Sequence, residues 1–154
     1  TFMGQNLGAK EYERAKKGAK FGILTSITLA ELIGVCVFIF APHLIALFND
    51  DPQVVAYGTK QARIESLFYF GLAFSHCIAG IMRGCGKAKV PMFIMLGIWC
   101  VFRVSYLSVV LSFLHRVEVV YTVYPLTWSL SSVLFLIYFL RADWIHALDN
   151  KEVK

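Results

Sequence analysis

An all-α integral membrane protein with four transmembrane helices is the fold class this sequence predicts, and three observations predict it. Of its 154 residues, 58% are apolar and only 16% are charged, against about 45–50% and about 25% in a soluble domain. The charges fall in short clusters separated by long uncharged runs. Several runs have the roughly 20 residues that a helix needs to cross an apolar bilayer core of about 30 Å. These features exclude a disordered chain and argue against a cytosolic enzyme. The net charge of +5 does not point to nucleic acid, because the basic residues form no polar face. The expected partner is the lipid bilayer, with no nucleic acid.

Residues 1–20 read as a cytoplasmic loop and interfacial segment. Thr1-Phe2-Met3-Gly4 is apolar, and the chain then turns basic at Lys10, Arg14, Lys16, Lys17 and Lys20. This is not the basic, apolar, small-residue order of a signal peptide. It looks like the end of a preceding membrane helix, so the chain is expected to be a fragment missing an amino-terminal part. The basic stretch 10–20 suits an interfacial helix against anionic headgroups.

The four helices fall within residues 21–142, leaving 143–154 as a cytoplasmic tail. The first run, 21–48, holds Glu31 as its only charge, and Pro42 is expected to mark its end. The second, 66–82, is short, so Ile64 or its neighbours must join it. The third, 90–115, has the length but must bury Arg103 inside a bundle. The fourth, 119–140, runs 22 residues without a charge.

Basic loops stay on the cytoplasmic side of a membrane. The leader, the Arg83–Lys87–Lys89 connection and the tail together carry eleven Lys and Arg. The alternate side carries three: Lys60, Arg63 and Arg116. Charge alone therefore predicts both termini in the cytoplasm.

Several motifs then occur in order. Gly4-Gln5-Asn6-Leu7-Gly8-Ala9 is followed by Arg14-Ala15, then Leu47-Phe48 with Asp51-Pro52-Gln53-Val54. Arg83-Gly84-Cys85-Gly86-Lys87 leads to Pro91, and Trp99 stands four residues before Arg103. This ordered set, over roughly 1–146, resembles the carboxy-terminal part of a multidrug and toxic compound extrusion (MATE) transporter. The resemblance implies a twelve-helix, two-lobe fold of which these are the last four helices. It also implies alternating access and export of organic cations and amphipathic drugs, coupled to Na+ or H+ influx, at the cell membrane. No cofactor is implied beyond the coupling ion. Some members of the family place a cation-binding acid in the tenth helix, about a dozen residues before the Arg-Gly pair. Here that neighbourhood reads Gly71-Leu72-Ala73, with no carboxylate. A coupling carboxylate is then either upstream or Glu31.

An ionisable group deep in a membrane costs several kcal/mol and is a functional candidate by default. Glu31 is one: desolvation disfavours its anion, which lets it take and release a proton. The structural alternative is a buried pair that fixes packing. Arg103, expected at similar depth, is its natural partner, unless it snorkels to the headgroups. The Arg83-Gly84-Cys85-Gly86-Lys87 loop lacks the phosphate-loop spacing, with Ala88 where Ser or Thr is needed. It reads as a tight turn whose glycines allow positive φ, with Pro91 in the first turn of the next helix. Gly80 and Gly84 form a small-xxx-small pair for close helix approach.

Cys36, Cys77, Cys85 and Cys100 contain no C-x-x-C pair and read as packing residues. His76 lacks companion ligands, so no metal site is expected. The scattered His residues support no hydrolytic arrangement, and the protein is not expected to be an enzyme. Tyr121, Tyr124, Trp128, Tyr138 and Trp144 read as interface belts or packing, with cation recognition as the alternative for the mid-helix rings. Two rival functions remain at this level. One is a complete four-helix proton antiporter that dimerises around Glu31; the other is a non-transporting membrane scaffold subunit.

Overall fold

The computed structural model describes residues 1–114 and 117–148. Among these, every regular element is helical. Helix α1 (Phe2–Gly8) ends where Lys10 takes φ 60° and the Glu11 N–H bonds back to the Asn6 carbonyl at 2.8 Å. Helix α2 (Tyr12–Ala46) then runs for 35 residues, about 52 Å at 1.5 Å per residue. The basic stretch is thus the opening of a membrane-length helix, continuous with the apolar run.

Pro42 does not end α2, correcting the expectation; the helix continues to Ala46. Proline has no N–H, so the carbonyl four residues earlier loses its helical donor. That carbonyl belongs to Phe38, and Arg63 Nε donates to it at 3.2 Å. The vacancy is filled from the next helix, as a membrane segment requires.

That neighbour is α3 (Pro52–Ser66), in a region expected to be a connection. Asp51 accepts from the Gln53 N–H at 2.8 Å and Pro52 occupies the first turn, both standard helix starters. A break at 67–68 separates α3 from α4 (Tyr69–Gly84), and the two axes meet at 55°. The pair together has the length and apolarity of one broken span. At this bend α2 packs tightly, since a Cβ on Gly34 would lie 2.6 Å from the Ser66 carbonyl oxygen. Only glycine fits there.

Helix α4 closes with Gly86 at φ 74°, where the Gly86 and Lys87 N–H groups bond the Arg83 and Met82 carbonyls. The left-handed residue and the paired bonds form a Schellman cap. Pro91 sits in the first turn of α5 (Lys89–Met95), as the sequence predicts. A π-helical segment (Leu96–Phe102) and α6 (Arg103–Phe113) continue the same 25-residue rod. The widened turns, not anticipated from sequence, end where Arg103 begins. Helix α7 (Glu118–Arg141) matches the uncharged run closely. His115, Arg116 and residues 149–154, and with them Lys151 and Lys154 of the basic tail, lie outside the described residues.

Among the described residues, three helices are long and apolar enough to cross a membrane, and four if the bent pair is one span. This is a multi-pass membrane protein. Helix α7 touches α3, α4 and the α5–α6 rod, whereas α2 lies along α3 and α4. Small residues Ala15, Ala19, Gly34 and Ala41 are the buried positions of α2. Its Phe21, Leu24, Leu29 and Leu32 are exposed, which costs little where lipid replaces water.

The main apolar core gathers at one end of the bundle. Met3, Leu7, Ala15, Ile78, Met82, Cys85 and Phe135 are buried together there. At that end Lys87 Nζ donates to the Asp143 carbonyl, and the Tyr12 and His146 rings lie 5.1 Å apart, tilted by 57°. The leader, the Arg83–Lys87–Lys89 connection and the start of the tail therefore meet at this end. Elsewhere, Lys60 and Glu118 pair at 3.6 Å, joining α3 to the start of α7.

Candidate functional site

The π segment aims Arg103 at α7. Its Nη2 donates to the Thr127 hydroxyl at 2.6 Å, and that hydroxyl bonds the Tyr124 carbonyl at 3.0 Å. The guanidinium carbon lies 4.6 Å from the Tyr124 ring centroid and 5.6 Å from that of Trp99. Each such contact contributes about 0.5–1 kcal/mol when exposed and about 2 kcal/mol or more when desolvated. These terms offset the cost of holding a cation within a membrane-length helix.

The rings continue outward. Trp99 meets His76 edge-on at 5.1 Å, while Trp128 meets both Tyr124 and Tyr69 at 6.0 Å. Glu65, in the last turn of α3, is half-buried, takes a 2.8 Å bond from Gln61, and interacts electrostatically with Arg103. No direct ion pair joins Glu65 to Arg103 among the described residues. Arg103 Nε and Trp99 Nε1 are buried donors without an acceptor among the described residues. The site is thus a cation on aromatic faces, with two N–H groups that find no acceptor among the described residues.

Glu31 is elsewhere. It lies on α2 one turn before Gly34, on the face toward the α3–α4 bend, because residues three apart share a helix face. Its Oε2 is buried without a hydrogen-bond partner among the described residues. Arg103 turns instead to α7, and no ion pair joins it to Glu31 among the described residues. The expected Glu31–Arg103 contact is not formed among the described residues.

The motif residues at the other end come together in space. A Cβ on Gly4 would lie 3.3 Å from the Gly84 carbonyl oxygen, and one on Gly84 would lie 2.9 Å from Met3 Cβ. The two glycines allow α1 to rest on the end of α4. Asn6 is buried and its side-chain amide donates to the Phe2 carbonyl at 2.7 Å. Gln5, Gly8 and Arg83 are exposed. Gly80 meets nothing within 4 Å, so only Gly84 of the small-residue pair serves a close approach. Burial pushes the Cys85 thiol up to about 11, which makes it inert.

A second polar feature, unforeseen from sequence, joins α4 to α7. Ser75 Oγ lies 3.0 Å from both Ser131 Oγ and Ser132 Oγ. The Gly71 carbonyl is within 2.9 Å of Ser75 Oγ and 2.8 Å of Ser132 Oγ. Gly71 opens the stretch where the resemblance looks for an acid, and serine hydroxyls cover its backbone. The i, i+4 spacing of Trp99 and Arg103 was readable; the serines on facing helices were not.

Comparison with known proteins gives the same outline. The family model described as MatE matches residues 1–114. A probable multidrug resistance protein NorM from Thermotoga maritima is 30% identical over 100 residues, 64% of this chain and 22% of that protein. Human multidrug and toxin extrusion protein 2 is 28% identical over 85 residues, 55% of this chain and 14% of its own length. Multidrug resistance protein MdtK of Photorhabdus laumondii is 28% identical over 82 residues, 53% of this chain and 18% of that protein. The chain spans about a fifth or less of the length of these relatives.

Proposed function

The chain belongs to the MatE family, and on that premise we propose that it forms the last four helices of a twelve-helix, two-lobe efflux transporter. The transporter exports organic cations and amphipathic drugs across the cell membrane by alternating access, driven by inward Na+ or H+ flow. The observation that carries this reading is Arg103, a charge held on Tyr124 and Trp99 faces inside a membrane-length helix. Ionisable groups are placed there where a transport pathway needs them, and ring faces are the surfaces that organic cations recognise.

Two carboxylates are available for coupling. Glu31 Oε2 is a buried acceptor with no donor, a state that a bound proton or cation relieves. Glu65 stands in the last turn of α3, at the break of the bent span, where Gln61 donates to it at 2.8 Å. Both ends of this segment lie on the cytoplasmic side, in keeping with the basic leader, the basic loop and the start of the tail meeting at one end. The protein works by binding and conformational change, not by catalysis.

Cells expressing the full-length gene are loaded with ethidium and its efflux is followed by fluorescence under an imposed Na+ or pH gradient. The expected result is efflux that one gradient drives and its collapse abolishes, with Glu31→Gln slowing it at least tenfold. Efflux equal to that of vector-only cells under both gradients refutes the reading.

A further inference from the structure

The first turns of α2 carry charges that the efflux reading does not use. Lys16 and Lys20 are four residues apart, so they share a face of the helix. Both are exposed, and both line an open crevice of about 330 Å3 walled by Ile23 and Leu24 of α2 and by Phe139 and Trp144. Phe139 and Trp144 stack at 5.1 Å with their planes 19° apart, which makes that wall one continuous aromatic surface. On the neighbouring face, Ala15 and Ala19 are buried in the core with Trp144 and hold α2 against the chain beyond α7.

The acids closest in sequence to these groups are already engaged. Glu13 Oε1 holds Lys16 Nζ at 2.7 Å, and Asp143 accepts from the His146 N–H at 3.2 Å. Lys20 makes no hydrogen bond or ion pair among the described residues. An unpaired ammonium at the rim of an apolar crevice is complementary to an amphipathic anion. The apolar surface also continues. Leu24 lines a second open groove of about 500 Å3 that runs past Thr28 to Leu32. From Lys20 to Leu32 is about 18 Å of helix at 1.5 Å per residue, close to the depth of one leaflet of an apolar core about 30 Å thick.

We propose that this crevice binds one anionic phospholipid, with its phosphate on Lys20, Lys16 beside it, and an acyl chain lying over Leu24 toward Leu32. The order of groups along α2 is that of the lipid itself: charge first, then one turn later the start of an apolar track. Trp144 supplies the amphipathic ring that favours the boundary between the two. A lipid seated there bridges α2 to the chain beyond α7, and a ligand that binds only the folded state stabilises it.

The test titrates the full-length transporter, purified in a neutral detergent, with dioleoylphosphatidylglycerol while its melting temperature is followed. Dioleoylphosphatidylcholine is the control for charge and dihexanoylphosphatidylglycerol the control for chain length. The long anionic lipid is expected to raise the melting temperature saturably by several degrees, and each control by much less. Lys20→Ala should raise the half-saturating concentration about fivefold, and Lys20→Arg should keep it near the wild-type value. Lys17→Ala removes the same charge from outside the crevice and should leave it unchanged. All three positions carry exposed side chains, so the variants are expected to fold. No saturable rise, a rise matched by either control lipid, or an unchanged half-saturating concentration in Lys20→Ala overturns the proposal. Equal weakening by Lys17→Ala and Lys20→Ala also overturns it, because a diffuse basic field would then account for the binding.

Discussion

Replacing Arg63 with methionine is expected to destabilise the protein by about 1–2 kcal/mol, and placing alanine at Pro42 first is expected to remove about half of that cost. The reason lies in one carbonyl. Pro42 leaves the Phe38 carbonyl without its helical donor, and Arg63 Nε supplies one at 3.2 Å while its guanidinium carbon sits 5.5 Å from the Phe38 ring. A hydrogen bond from a charged donor contributes about 1.5–3 kcal/mol, and the exposure of Arg63 places it at or below the low end. The ring contact adds about 0.5–1 kcal/mol. With alanine at position 42 the helix provides its own N–H, so the arginine retains little beyond the ring contact. A double-mutant cycle should therefore give a coupling of about 1 kcal/mol, with the intrinsic effect of proline removal cancelling. The assay is equilibrium unfolding in detergent followed by tryptophan fluorescence. Strictly additive costs would falsify the claim that Arg63 substitutes for the missing proline donor.

The two glycines Gly34 and Gly80 should respond oppositely to the same change. Gly34→Ala drives a Cβ to 2.6 Å from the Ser66 carbonyl oxygen and should cost about 1–3 kcal/mol; Gly80→Ala meets nothing and should be neutral or stabilising by up to about 1 kcal/mol. Matching melting temperatures for the two variants would remove the close contact between α2 and the bend. Ser75→Ala should weaken the α4–α7 contact by about 1 kcal/mol, read in the same unfolding assay; a variant as stable as wild type would show the hydroxyl cluster to be idle. Cys85, kept as the sole cysteine, should react with maleimide about 100-fold more slowly at pH 8 than an ordinary thiol, since only the thiolate reacts and burial raises its titration to about 11. Its rate should climb with pH up to about that value, and a plateau near pH 9 would contradict the burial.

How far the sequence could be read depended on what each element advertises. Helix α7 was legible nearly to the residue because a charge-free run bounded by Glu118 and Arg141 admits one placement. Helix α3 was hidden by its own charges, Lys60, Arg63 and Glu65, although the Asp51-Pro52 start was there to be recognised. The π segment leaves no mark, because an apolar run looks the same whether its turns hold four residues or more. Pro42 misled because the rescuing donor comes from another helix, 25 residues away.

The candidate site divides in the same manner. Arg103 was visible as a lone charge in an apolar run, and Trp99 one turn earlier was visible with it. Its surroundings were not, since Glu65 looked like the edge of a run and Tyr124 and Thr127 lie on a different helix. Glu31 was singled out by depth alone, and depth does not fix the face of a helix. The packing of α2 on α3 and α4 decides it.

The central claim, that this chain belongs to a gradient-driven exporter of organic cations, is tested most directly in proteoliposomes containing the purified full-length transporter. Uptake of tetraphenylphosphonium is measured with an imposed Na+ gradient, an imposed pH gradient, or neither. Accumulation above the no-gradient level under at least one gradient, lost on adding the matching ionophore and reduced by Tyr124→Leu, is the predicted result. Uptake that is the same with and without both gradients would contradict it.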